Sequence, residues 1–270
     1  MERTLMALFA HPDDESFASG GTLARYAAEG VRVVLVCATR GEAGIVHDEE
    51  MKVPPEEMGR VREEELRCAC RVLGVQELHF LDYRDSGMGG SPDNNHPQAF
   101  CRAEPAEVVE RLLTLFRRFC PQVVITFGPD GGYGHPDHVA IHRHATAAWR
   151  EAGNLPQPPR KLYYTAVSAT AFRRLREAMW RRGLISEMPS EEEIARRAVP
   201  EERLTAVDIR DFLGKKMAAL RCHRTQLAPN HPWLNLPEDL REYMGYEYFL
   251  LAGARGVETG PGEEDLFTGL

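Results

Sequence analysis

No run of about 20 apolar residues, the length that a bilayer span requires, occurs in the 270-residue chain. A membrane-spanning helix is therefore not expected. An excess of positive charge is also missing. The chain has 33 Lys and Arg against 41 Asp and Glu, a formal net charge of −8. A surface devoted to nucleic acid needs a local excess of Lys and Arg, so that partner is not expected either. The basic stretch at residues 171–182, with Arg173, Arg174, Arg176, Arg181 and Arg182, reads as a solvated helix face. Cysteine is sparse. Cys37, Cys68, Cys70, Cys101, Cys120 and Cys222 form no disulfide framework in a chain of this length and are expected to be reduced and mostly buried. The apolar stretch at the N-terminus is too short for a secretory signal and runs directly into His11, which points to a cytoplasmic protein. Repeats and low-complexity segments are absent. With 43% hydrophobic and 27% charged residues, the composition is that of an ordered globular protein.

Patterning along the first 150 residues alternates between strand and helix. Residues 4–10, 31–38, 77–81 and 122–127 read as buried strands, the second (VRVVLVCA) almost continuously β-branched. Residues 20–29, 58–73 and 105–119 carry apolar residues at helical spacing. Such alternation implies a Rossmann-like α/β fold, a mostly parallel sheet flanked by helices, with its ligand site beyond the carboxyl ends of the strands. The second half is less regular and is expected to complete the pocket. Strands are expected at 162–167, 204–209 and 247–251, and helices at 168–182 and 211–223. Residues 187–202 read as an exposed acidic insertion. One domain is expected over residues 1–252, followed by a flexible, Gly-rich tail at 253–270.

Two clusters carry chemistry. Directly after the first strand, His11-Pro12-Asp13-Asp14-Glu15 packs one imidazole and three carboxylates into five residues. A polar helix cap needs one such residue, and burying four calls for compensation, most simply by a divalent metal. His11 and Asp14, three apart across a turn, can reach one ion. Asp13 between them then points elsewhere and stays free as a base. After the strand at 122–127 comes Gly128-Pro129-Asp130-Gly131-Gly132-Tyr133-Gly134-His135-Pro136-Asp137-His138. Pro136 suits a first helical turn, which sets His135 and His138 on one face. Asp137 can hydrogen-bond one of them and fix its tautomer. His142 and His144, further along that helix, read as packed or solvated. Together the clusters offer His11, Asp14 and His138 as three ligands, the N/O set of a catalytic zinc site, with iron and manganese also compatible.

These motifs resemble the PIG-L/LmbE-like family of zinc-dependent N-deacetylases. Further likeness lies in Gly20-Gly21-Thr22, in Thr39-Arg40-Gly41-Glu42, in the helix Arg62-Glu63-Glu64-Glu65-Leu66-Arg67-Cys68-Ala69, and in the late segment from Lys216 to Gln226. Tyr83-Arg84-Asp85-Ser86-Gly87-Met88 and Gly132-Tyr133-Gly134-His135 are most similar to the mycothiol-pathway branch of N-acetylglucosaminyl-inositol deacetylases and S-conjugate amidases, and the chain also resembles the bacillithiol-pathway deacetylases. The resemblance implies one Zn²⁺ held by His11, Asp14 and His138, and Asp13 as general base. It also implies a protonated His135, positioned by Asp137, that stabilises the oxyanion or protonates the amine, with Tyr133 swinging in as a further donor. Arg62, Asp85 and Met88 match positions that line the sugar pocket. Two plainer readings stay open at this stage: Arg62 as a surface ion pair with Glu65, and Asp85 as a turn cap. The expected reaction is removal of the N-acetyl group from a small amino-sugar conjugate of the N-acetylglucosamine-inositol or -malate kind. Alternatives are a zinc amidase acting on thiol S-conjugates and a hydratase of an unsaturated dicarboxylic acid, the latter needing Arg62 and Arg84 free to bind carboxylates. A homo-oligomer is compatible with all of these.

Overall fold

The computed structural model describes residues 2–48, 50–260 and 262–270. Met1, Glu49 and Pro261, which fall within the expected domain and tail, lie outside the described residues. Among the described residues, seven strands form one sheet in the order β3-β2-β1-β4-β5-β7-β6. β1 (Thr4–Phe9), β2 (Arg32–Cys37), β3 (Glu77–Phe80), β4 (Val123–Thr126) and β5 (Lys161–Ala166) are parallel. β7 (Tyr246–Ala254) lies antiparallel between β5 and the edge strand β6 (Leu204–Asp208), which therefore runs in the direction of the first five. Every residue of β1 and β4 is buried, which is why their sequences are apolar without alternation.

Among the described residues the helices are α1 (Asp14–Ala28), α2 (Met58–Leu73), α3 (Pro105–Phe119), α4 (Pro136–Glu151), α5 (Ala169–Arg181), α6 (Glu191–Arg197), α7 (Leu213–Cys222) and the single-turn α8 (Glu238–Arg241). α1, α2 and α7 pack against one another, as do α3 and α4. Right-handed crossovers place α1 and α2 on one face of the sheet and α3 and α4 on the other. The connection from β1 leaves toward β2, whereas β4 lies on the opposite side of β1. The crevice between β1 and β4 is therefore the topological switch point of the sheet. No helix among the described residues is long and apolar enough to cross a membrane.

Three expectations need correction. α1 begins at Asp14 rather than residue 20, because its first turns bury Ser16, Ser19, Gly20 and Gly21, small residues that leave no apolar periodicity. The acidic insertion at 187–202 is largely exposed, as expected, and contains α6, opened by a Ser190–Glu193 capping box, with Ile194 buried. The C-terminal tail is not loose. Leu266 and Phe267 are buried in the main core, the Tyr26 hydroxyl donates to Asp265 at 2.7 Å, and Glu263 pairs with the buried Lys161 at 2.9 Å. Removing one partner of a buried ion pair leaves the other uncompensated, so Glu263→Ala is expected to destabilise the protein by about 3 kcal/mol in urea denaturation.

The third correction concerns cysteine. Packing of α7 on α2 brings Cys68 and Cys222, 154 residues apart in sequence, into a disulfide with a Cα–Cα distance of 5.8 Å. Cys37, Cys70, Cys101 and Cys120 are free. Alkylation under denaturing, non-reducing conditions is therefore expected to label these four thiols, and all six cysteines only after reduction, as read by intact mass.

Candidate metal and catalytic centre

The turn from β1 into α1 and the first turn of α4 meet at the switch point. His11 Nδ1 lies 3.1 Å from His138 Nε2, His138 Nε2 lies 3.3 Å from Asp14 Oδ1, and His11 Nδ1 lies 3.8 Å from Asp14 Oδ2. All three side chains are buried. Asp14 is held by the turn itself, its Oδ2 accepting the backbone N–H groups of Ala10 (3.1 Å) and His11 (2.8 Å). Burial alone pushes its carboxyl up, but His138, His11 and the backbone donors prevail and bring it down to about 2.

The tautomers follow from the partners. His138 Nδ1 lies 3.0 Å from the Gly131 carbonyl oxygen, which only accepts, so Nδ1 is the donor and Nε2 carries the lone pair. His11 Nε2 faces Asp137 Oδ2 at 3.1 Å and Asp85 Oδ1 at 3.4 Å, so it holds a proton in either charge state, and Nδ1 carries a lone pair when the ring is neutral. His138 Nε2 and His11 Nδ1 thus meet beside a carboxylate oxygen, an arrangement that calls for positive charge, either a proton on His11 Nδ1 or a cation in its place. Burial disfavours the imidazolium of His11, yet the carboxylates of Asp85, Asp137 and Asp14 outweigh it and raise its pKa well above the usual range. The donor set and its electrostatics fit a divalent metal. Gly131 is required for this geometry: its φ is +63°, and a Cβ there would lie 2.5 Å from His138 Cβ. The imidazole of His138 also stacks on Phe127, with centroids 4.1 Å apart and rings 7° from parallel.

Asp13 sits at the mouth of this cluster with φ 115° and ψ −30°. Burial pushes its carboxyl up to about 6, with Arg62 opposing. Arg62 Nη2 donates to Asp13 Oδ2 at 3.3 Å and to the Pro12 carbonyl at 2.7 Å, and Nη1 donates to the Gly41 carbonyl at 2.9 Å. A surface pair with Glu65 is ruled out, since the Glu65 carboxylate accepts from the backbone N–H (2.8 Å) and hydroxyl (2.6 Å) of Thr225. Asp85 combines both of its readings. Its Oδ1 accepts the Gly87 N–H at 2.8 Å, closing a turn, and faces His11.

His135 and Asp137 depart from expectation. The Asp137 carboxylate accepts from the Ser86 backbone N–H (2.9 Å) and the Ser86 hydroxyl, and it orients His11, not His135. As the second residue of α4, Asp137 turns back into the sheet edge, whereas His135 precedes the helix as its N-cap and accepts the Asp137 N–H on Nδ1 at 3.2 Å. Burial, then the charges at His11 and His138, lower the His135 pKa to about 4, so its ring is neutral at pH 7. Its remaining nitrogen can still donate to an oxyanion. The site contains two groupings able to hold an ion, His11 with His135 and His138, and His11 with Asp85 and Asp137. Met88 and Tyr133 are exposed side chains, and the Tyr133 ring lies 4.9 Å from the His138 ring. His142 bonds the Phe127 carbonyl and His144 packs on Phe100, so both are structural.

Sequence reasoning assigned no role to Ser86, Glu15 or His223. Ser86 lies within a segment already singled out, but only the fold reveals that it anchors Asp137. His223 reaches Glu15 from 208 residues away.

The family model described as PIG-L, GlcNAc-PI de-N-acetylase, matches residues 6–149. A 1D-myo-inositol 2-acetamido-2-deoxy-alpha-D-glucopyranoside deacetylase of Acidothermus cellulolyticus is 39% identical, over 100% of this chain and 96% of that protein. A protein of the same name from Salinispora arenicola is 40% identical, over 100% and 92%. Among solved structures, the N,N'-diacetylchitobiose deacetylase of Pyrococcus horikoshii shares the fold with a TM-score of 0.63 at 22% identity, over 92% of this chain and 83% of that one. A 4-carboxy-2-hydroxymuconate hydratase of Pseudomonas putida shares it with a TM-score of 0.60 at 20% identity, over 95% and 99%. Fold alone therefore does not select the reaction. The sequence match over the motif-bearing half and the relatives aligned along the full chain do place it: the chain belongs to the PIG-L family.

Proposed function

We propose that this protein is a zinc-dependent deacetylase that hydrolyses the acetamide of an N-acetylglucosamine conjugate, with the inositol α-glycoside as the preferred class. The carrying observation is a half-buried carboxylate, Asp13, poised beside a buried His11–Asp14–His138 cluster in a chain about 39% identical to deacetylases so named. His11, Asp14 and His138 would hold the ion. When bound, it supplies Lewis-acid polarisation of the amide carbonyl and acidifies water. Asp13, ionised, accepts the proton of the attacking water and delivers it to the leaving nitrogen. Arg62 keeps that carboxylate ionised and aimed. Neutral His135 donates to the developing oxyanion, a stabilisation that strengthens as charge builds. Asp85, Met88 and Tyr133 border the space where the sugar would lie.

The hydratase reading loses support, because both arginines it needs are engaged: Arg62 by Asp13 and two carbonyls, Arg84 by Asp93 at 3.0 Å. The test is a substrate panel containing N-acetylglucosamine, its inositol and malate α-glycosides, chitobiose, a bimane thiol conjugate and an unsaturated dicarboxylic acid. Amine release and double-bond loss are followed separately. Amine from the inositol glycoside above all others is the expected result. Amine from the thiol conjugate alone, or double-bond loss without amine, would overturn the proposal.

A further inference from the structure

Asp13 adopts a backbone conformation that L-residues rarely occupy, and such conformations persist only where the surroundings enforce them. The enforcing contact is specific. The Asp13 N–H donates to Glu15 Oε2 at 3.0 Å. The other oxygen, Glu15 Oε1, accepts from the Ser16 hydroxyl at 2.5 Å and from His223 Nε2 at 2.8 Å. Glu15 is 1% exposed and His223 is fully buried.

His223 does not look like a residue kept for packing. Its Nδ1 finds no hydrogen-bond partner among the described residues, a cost that an apolar side chain in the same space would avoid. Its position is nonetheless firmly set. It directly follows Cys222, which is bonded to Cys68 of α2, and two residues later Thr225 is clamped by Glu65. The imidazole thus reaches from the end of α7 to the underside of the turn that carries the base.

We infer that His223, acting through Glu15, is a positioning residue that locks the Asp13 backbone so that its carboxylate faces the reacting water. The inference rests on Asp13 being the base. Misplacing a reacting group by about 1 Å can cost a hundredfold in rate. His223→Leu is accordingly expected to lower kcat by about 10- to 100-fold on 1D-myo-inositol 2-acetamido-2-deoxy-α-D-glucopyranoside, with KM and bound metal unchanged. His223→Gln, whose side-chain amide can still donate to Glu15, is expected to restore most of the rate. Amide hydrogen exchange of the peptide spanning residues 10–17 should quicken in the leucine variant and not in the glutamine one. Should the leucine variant fail to fold, Glu15→Gln turns one of the two acceptor oxygens into an amide donor at constant volume, so the side chain can no longer accept from the Asp13 N–H and from His223 on separate oxygens, and the same loss confined to kcat is expected.

Wild-type kcat in the variant that folds would overturn the inference. So would a glutamine variant as impaired as the leucine one, or a loss traced to metal content. Asp13→Asn measured in parallel separates the two levels. If Asp13→Asn is inactive while His223→Leu is fully active, only the positioning role fails. If Asp13→Asn is itself active, the base assignment fails.

Discussion

Asp13→Asn is expected to bind metal and substrate as the parent does and to lose about 10²- to 10⁴-fold in kcat, the range that a positioned general base contributes. The substitution keeps the side-chain volume and a hydrogen-bond acceptor for Arg62, so the fold is expected to survive. What it removes is the proton acceptor. A fall in kcat and kcat/KM together, with KM and metal content unchanged, is the signature of an interaction made in the transition state. The pH profile supplies a second reading. As the proposed base, Asp13 works ionised, so activity is expected above its pKa and lost as pH falls through it. Burial sets that pKa at about 6, with Arg62 opposing, and a bound divalent ion lowers it further. The acid limb of kcat/KM is therefore expected at or below about pH 6. Arg62→Met removes the opposing charge and is expected to move that limb to higher pH.

His138→Ala is expected to empty the metal site without unfolding the protein. It deletes the imidazole of the His11–Asp14–His138 cluster whose tautomer is fixed by a backbone carbonyl, and it leaves His11 Nδ1 facing open space beside Asp14. Losing merely an outer hydrogen-bond partner of a ligand costs 10- to 100-fold in metal affinity, so loss of the ligand itself is expected to cost more than about 100-fold. Elemental analysis after dialysis reads this directly, and added zinc at high concentration should recover part of the bound metal. Unchanged metal content would remove His138 from the ligand set and favour the alternative grouping of His11, Asp85 and Asp137.

Much of this was legible in the sequence because it is encoded locally. α2 and α3 begin and end where spacing, Gly74 and Pro105 indicate. The two motifs follow buried strands whose apolar runs leave no alternative reading, and strand order then brings them together. What escaped is non-local or polar. The early turns of α1 are built of small residues against the sheet, and carry no amphipathic signal. The tail docks through Glu263 and Asp265 as much as through Leu266 and Phe267, so its composition resembles that of a free segment. Asp137 was assigned to its sequence neighbour His135, yet a side chain in the first turn of a helix can point away from the residue that precedes it, here toward Ser86 and His11. Cys68 and Cys222 became partners only once α7 had packed on α2.

Hydrolysis of the inositol glycoside in ¹⁸O-labelled water, by zinc-loaded wild-type protein and Asp13→Asn side by side, tests the central claim most directly. The account predicts equal amounts of acetate and free amine from the wild type, one labelled oxygen in the acetate, none in the sugar, and almost no product from the variant. Label in the sugar, amine without acetate, or a variant as fast as the wild type would contradict it.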